Sequence, residues 1–314
     1  MNLLANKRYT LAGSGCVAQV YKAKHIDKTY AVKVLHPNIR KTIFSDLSFI
    51  SKVFEALKID TTTLESYKTE AVSQLDLRNE AQNLKILGAN FCGSLNVCVP
   101  EVYYKSANVL VEEFIEKADL NNFDLDRCSV LNTRFSNIIV SMFLKMVFLD
   151  KFVHGDLHQG NLQISNHHGK LKVALFDAGM CKFLSRVEYK NLLDVVYELL
   201  FTKNYKNVAN LLIEKNEHNC LLNIDRKKFS DDVSKIIKNV LNNCSVSKNV
   251  AEMYNVIRKN KIKLYYGYSS IFTSAVCLDG FVNQLSKNPY KKSKRLFWIH
   301  APYKYLMFKF LNIK

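Results

Sequence analysis

The chain has 314 residues, 48% of them hydrophobic and 23% charged, with only 10 glycines and 4 prolines. These proportions support a full hydrophobic core and exclude a disordered or low-complexity protein. A formal charge of +17 suits an acidic partner, though the absence of a basic motif interleaved with aromatics counts against nucleic acid. The eight cysteines are scattered without a CxxC pair and read as small buried hydrophobes of a reducing compartment.

In chain order, "RYTLAG", "CVAQVYKAKH" and "TYAVKVLH" alternate and carry β-branched residues, which predicts three strands over residues 8–35 with a turn at "IDK". From Ile39 to Leu57 the spacing becomes helical, with Ile43, Leu47, Ile50 and Phe54 on one face. "DTTTLESYKTEAVSQLDLRNEAQNLKILGANF" predicts a longer helical segment, with Thr62 and Glu65 at capping-box spacing. "EVYYKS" and "NVLVEEFI" then predict a second antiparallel pair. Beyond residue 117 the composition turns helical. Ile138, Ile139, Met142, Met146 and Leu149 form a stripe ahead of the polar stretch "FVHGDLHQGNLQI". His167 and His168 read as hairpin-turn residues, "GKLKVALFDAGM" as a strand that breaks at Asp177, and nearly everything from Leu184 to the end as helical in periodicity. The expected fold class is α+β and bilobal, protein-kinase-like: a strand-rich N-lobe over 1–116 and a helical C-lobe over 117–314.

Phosphoryl transfer from ATP needs a small-residue loop at the phosphates, a lysine held by a carboxylate, and acidic and amide groups for the metal and the attacking group. The chain supplies these in order. Gly13, Ser14, Gly15, Cys16, Val17 and Ala18 fit G-x-G-x-x-A-x-V at a strand–strand turn. Lys33 lies in "YAVKV" and Glu80 in "NEAQNL". Asp156 and Asn161 stand in "HGDLHQGN" with the D-x-x-x-x-N spacing of a catalytic loop, and Asp177 in "LFDAGM" takes the place of the D-F-G aspartate. Each element alone is a weak signal with a bland reading: a turn, a strand lysine, an exposed helix acid. "HGDLH" also offers two imidazoles, but no third or fourth zinc ligand follows at convincing spacing. Together, in this order, the elements point to an ATP-binding kinase-like fold.

The segments "GSGCVAQVYKA", "AVKVLHPNI", "QLDLRNEAQNL", "VLVEEFIE", "FVHGDLHQGN" and "LFDAGM" carry a narrower resemblance. Over about residues 9–185 the chain resembles the aarF/UbiB-type atypical kinases, most closely the subgroup typified by aarF domain-containing kinase 2. The resemblance implies a protein-kinase-like fold, Mg²⁺ and ATP as cofactors, and ATPase or phosphotransferase activity. It also implies a role in coenzyme Q or mitochondrial lipid metabolism. Lys33 would pair with the nucleotide phosphates along with the Gly13–Ala18 loop, Glu80 would orient Lys33, Asp156 would be the catalytic-loop aspartate, and Asn161 and Asp177 would bind Mg²⁺.

Departures from the family pattern are visible. The K-x-G-Q extension that covers the site in relatives is not in the chain, and Gln159 stands where proline is usual, which lowers loop rigidity. No A-P-E segment follows Asp177, which disfavours an ordinary protein kinase. The remaining rival is a nucleotide-binding scaffold that does not catalyse, held at a membrane or protein complex. The resemblance implies a mitochondrial location, while no presequence or transmembrane segment is seen in the sequence. After Asp279 no acid follows, and eight lysines and arginines do. This tail, with Trp298 and its tyrosines, suits an anionic lipid or quinone-pathway lipid interface, or a final helix packed on the C-lobe.

Overall fold

The computed structural model describes residues 9–56, 68–69, 71–118, 125–215, 224–242, 246–262 and 264–285. The chain forms two compact units. The first comprises Met1–Ala118 and Leu162–Met180, the second Asp119–Asn161 and Cys181–Lys314. The class is mixed α+β, with strands concentrated toward the N-terminus and helices toward the C-terminus, as expected.

In the first unit, β1 (Tyr9–Ser14), β2 (Ala18–His25) and β3 (Lys28–Leu35) form an antiparallel meander. The sheet continues through β6 (Val109–Glu113) to β5 (Val102–Lys105), giving the order β1-β2-β3-β6-β5. The period-2 alternation that predicted these strands also sorts their faces. Tyr30, Val32 and Val34 pack with Ala23, Val109 and Val111 on one side, so Ala31, Lys33 and Leu35 project to the other. Helix α1 (Ile39–Ala56) follows β3. Helix α2 (Leu77–Asn90) buries Leu77, Glu80, Ala81, Leu84 and Leu87, a stripe of helical spacing that packs on β5 and β6.

One expectation shifts here. The long helical segment does not run unbroken into α2, because Asp76 adopts an extended conformation and its carboxylate accepts a hydrogen bond from the Arg78 N–H, starting a new helix. The Thr62–Glu65 capping pair and Phe54's side chain lie outside the described residues. The unit closes with a three-stranded sheet of order β4-β9-β8: β4 (Val97–Cys98), β8 (Leu162–His167) and β9 (Lys170–Leu175).

In the second unit, α3 (Leu125–Lys145) gives way to one wider π-type turn over Met146–Asp150 that ends at Lys151 in the left-handed region. The apolar stripe expected to run to Leu149 therefore stops early: Met146 is fully buried, whereas Leu149 is 49% exposed. Strand β7 (Phe152–His154) pairs with β10 (Cys181–Phe183). Helices α4 (Arg186–Tyr197), α5 (Tyr205–Glu214), α6 (Arg226–Asn242), α7 (Val246–Lys259) and α8 (Tyr266–Leu285) complete the unit. Their inward faces form a core around Phe229, Val233 and Ile257. The basic tail beyond Leu285 lies outside the described residues.

Candidate active site

Lys33 sits mid-strand in β3, its register set opposite Val20 in β2 and Leu110 in β6. A lysine on a buried face must find a counter-charge, because an isolated buried ammonium is costly. Glu80 supplies it. In α2 it occupies a position of the apolar stripe, 4% exposed, and its carboxylate accepts a 2.8 Å hydrogen bond from Lys33 Nζ. The partners are 47 residues apart in sequence. Asp177 Oδ2 lies 3.2 Å from the same ammonium and remains half exposed. Its backbone is left-handed, φ 48°, a strained conformation for a residue other than glycine. Its Oδ1 accepts from the Gly179 N–H at 3.4 Å. One helical turn beyond Glu80, Asn83 Nδ2 donates to the Ala178 carbonyl at 2.8 Å, so α2 fixes both the Lys33 partner and the turn that carries Asp177.

A third carboxyl group joins this cluster. Glu112 pairs across the sheet with Ala31, which places it on the Lys33 face. It is 7% exposed, and its Oε2 has no hydrogen-bond partner among the described residues. Burial pushes the Glu112 carboxyl up to about 8, reinforced by the neighbouring Glu80 charge and only partly offset by Lys33. Burial opposes the Lys33 charge, yet Glu80 and then Asp177 outweigh it and hold the ammonium above its ordinary range. Burial also pushes Glu80 up, to about 7, against the pull of Lys33. The Lys33 and Glu80 directions imply different protonation states. The ionised pair is the better description, since a neutral Glu80 would leave the buried ammonium to Asp177 alone.

The turn between β1 and β2 is closed by Gly15 N–H donating to the Ala18 carbonyl at 2.9 Å. His36, the residue after β3, braces it: its backbone N–H donates to Val17 O and its Nε2 to Gly15 O, both at 2.9 Å. Cys16 is exposed. Neither Gly13 nor Gly15 has a positive φ, and a Cβ added at either would meet nothing closer than 3.8 Å. The chain's own packing thus places no demand for glycine at either position.

In the second unit the polar loop after β7 is braced internally. His154 is fully buried, and its Nδ1 accepts from the Asp156 N–H at 3.2 Å. The Asp156 carbonyl accepts from Asn161 Nδ2 at 2.9 Å and from the His158 N–H at 3.0 Å. His158 Nε2 lies 3.4 Å from Asp156 Oδ2, while its Nδ1 accepts from the Gly160 N–H at 2.9 Å. A Cβ at Gly160 would come within 2.7 Å of the His158 ring, so a side chain there would displace that ring from its place beside Asp156. Ser274 from α8 donates to the His154 carbonyl, anchoring the loop. These bonds hold the loop even with Gln159 in place of a proline.

Mg²⁺ takes hard oxygen ligands, and the residues assigned to it by motif fit that preference. Asp177 offers a half-exposed carboxylate, and Asn161, with Nδ2 spent on the Asp156 carbonyl, offers Oδ1. Of the residues chosen by motif order, the structure brings Lys33, Glu80 and Asp177 into contact in the first unit, which also holds the Gly13–Ala18 turn. Asp156 and Asn161 share one braced loop in the second. Motif reading passed over Glu112 and Asn83, and weighed His158 only as a zinc ligand. Glu112 had a faint signal, an acid inside the apolar run "VLVEEFI".

Residues 7–212 match the family described as "ABC1 atypical kinase-like domain". The chain is 25% identical to the mitochondrial ABC1 family protein YPL109C of Saccharomyces cerevisiae, over 89% of this chain and 54% of that protein. It is 29% identical to the probable protein kinase UbiB of Shewanella frigidimarina, over 65% of this chain and 40% of the relative. For the protein of the same name from Vibrio campbellii the identity is 28%, over 69% and 42%. The chain thus spans about half the length, or less, of these curated relatives. Among solved structures it resembles the Rv3197–erythromycin complex from Mycobacterium tuberculosis, with a TM-score of 0.60 at 16% identity over 90% of this chain and 75% of that one. That likeness concerns the fold.

Proposed function

The chain belongs to the ABC1 atypical kinase-like family, and from that premise we propose that it binds Mg²⁺-ATP and transfers or hydrolyses the terminal phosphoryl group. The observation that carries the proposal is the Lys33–Glu80 pair at 2.8 Å with Asp177 at 3.2 Å from the same ammonium. A lone structural ion pair needs one carboxylate. Here a second, half-exposed carboxylate is held on a strained backbone beside it, the arrangement expected where a cation is to be shared.

In this reading Lys33 offsets phosphate charge, and Glu80 keeps its ammonium ionised and in place. The Gly13–Ala18 turn lets phosphate oxygens approach backbone N–H groups closely. Asp177 and Asn161 present oxygens to Mg²⁺, which when bound neutralises charge developing on the phosphoryl oxygens. Asp156 orients the attacking hydroxyl or water and accepts its proton, with His158 Nε2 beside the carboxylate to hold its orientation. Asn83 and Ser274 act as positioning residues.

The name of the UbiB relatives supports a kinase-like role, and that of the yeast relative a mitochondrial one. We place it in coenzyme Q or lipid metabolism, in mitochondria, with an anionic or quinone-pathway lipid as partner. The +17 charge supports the lipid. Among the described residues no helix is long and apolar enough to cross a membrane. The proposal is tested by ATP turnover in wild type and Asp156→Asn. The variant should bind Mg²⁺-ATP as wild type does while losing at least about a hundredfold in phosphate release, the usual scale for a positioned acid–base group. Undiminished turnover would remove Asp156 from the mechanism.

A further inference from the structure

Adjacent glutamates in a strand face opposite sides of its sheet, and the pair in β6 divides accordingly. Glu112 joins Lys33, whereas Glu113 pairs with Tyr30 on the other face. There it meets His167, the last residue of β8, whose Nε2 lies 3.1 Å from Glu113 Oε1. The two are 54 residues apart in sequence, and both belong to the first unit.

In a continued strand His168 would point away from His167. Instead His168 and Gly169 form a two-residue hairpin loop with φ of 52° and 75°, both positive as a type I′ turn requires. The turn swings the second ring back beside the first, with centroids 4.1 Å apart at 66°. Asparagine, aspartate and glycine are the usual occupants of the first such position and histidine is tolerated there too, so the turn admits His168 without requiring it. Nor is the local hydrogen bonding complete. His167 Nδ1 is buried and has no partner among the described residues.

We propose that Glu113, His167 and His168 form a binding site for a divalent transition-metal ion of the zinc class, separate from the nucleotide site. One ligand atom from each residue lies within 4.8 Å of the others. A tetrahedral ion with bonds near 2.0–2.1 Å holds its ligands about 3.3 Å apart. The Glu113–His167 separation already meets that spacing. His168, the exposed member, closes the remainder by turning its ring. Two imidazole nitrogens and one carboxylate oxygen are the donors preferred by zinc-like ions over Mg²⁺ or Ca²⁺. Three protein ligands leave the fourth position to water. The first unit already joins these elements loosely, through the Ala118 N–H to Ile164 carbonyl bond and the Lys117–Ser165 bridge. A bound ion would clip the tip of the β8–β9 hairpin to β6.

The test uses the whole purified chain, stripped with a chelator and titrated with Co²⁺ and then Zn²⁺. Co²⁺ should give the visible absorption of a four-coordinate site with nitrogen and oxygen ligands, at one ion per chain, and Zn²⁺ should abolish it. Two variants identify the ligands. His168→Asn suits the left-handed turn position, so it should fold, and it removes an imidazole; Glu113→Gln removes the carboxylate. Each should weaken Zn²⁺ affinity at least about tenfold, while His25→Ala, outside the cluster, should not. Absence of metal uptake by wild type, or unchanged affinity in both variants, overturns the site and leaves only a histidine–carboxylate hydrogen bond. ATP binding measured on the same variants should be unaffected, which separates failure here from failure of the nucleotide reading.

Discussion

At Lys33 a single ammonium meets Glu80 and Asp177, and the cost of parting it from Glu80 is open to measurement. Both partners of the 2.8 Å contact are largely buried, with side chains 14% and 5% exposed. Lys33→Met alone leaves a carboxylate without its cation and should cost about 3–5 kcal/mol in a urea melt. Adding Glu80→Leu should recover most of that loss, because removing both charges spares both desolvation costs. A double variant as unstable as the sum of the singles would contradict the pairing. Glu112 makes a separate prediction through pH. An acid whose pKa is about 8 folded and near 4.5 unfolded binds its proton more tightly when folded. The stability due to that proton is complete below about 4.5 and is lost as pH rises toward about 8. The limiting slope is about 1.4 kcal/mol per pH unit for one proton. Glu112→Gln should therefore reduce the fall in melting temperature across that window. An unchanged slope would mean that Glu112 is not a buried neutral acid.

At the scale of elements, the β1–β2 turn separates a structural from a functional need for glycine. Since no atom stands closer than 3.8 Å to a Cβ built at Gly13 or Gly15, Gly13→Ala and Gly15→Ala should melt within about 0.5 kcal/mol of wild type without nucleotide. They should weaken Mg²⁺-ATP binding severalfold or more, as measured by calorimetry. Equal binding would show that the turn does not approach phosphates. The strands of the first unit were legible because alternation reports a half-buried pleated face directly, and Lys33 was legible within "AVKV" as a charge among apolar neighbours. Glu80 and Asp177 were legible only by their order along the chain; that they touch Lys33 follows from α2 packing on β5 and β6. Where α2 begins was hidden, because the amphipathic pattern continues through Asp76 and only its extended backbone and side-chain cap mark the break. The exposure of Leu149 was hidden too, since a π-type turn shifts the apolar stripe without any change in composition. Glu112 and Glu113 look alike in sequence. Their separation to opposite faces requires the register of β6 against β3.

For the whole molecule, the family match over residues 7–212 and the mixed α+β fold agree with what motif order implied. Each of the two units carries its own set of polar residues assembled by local hydrogen bonds. The 154–161 loop is braced by its own hydrogen bonds, and Lys33 meets both Glu80 and Asp177. The central claim is that Mg²⁺-ATP binds through Lys33 and Asp177. Its most direct test is a thermal melt of the chain with ATP, with and without Mg²⁺, beside Asp177→Ala. ATP at a hundred times its dissociation constant adds about 2.7 kcal/mol of stability, a clear rise in midpoint. We expect wild type to shift only when Mg²⁺ is present and Asp177→Ala not to shift. A wild type that gains nothing from Mg²⁺ and ATP together, or a variant that gains as much, would contradict the account.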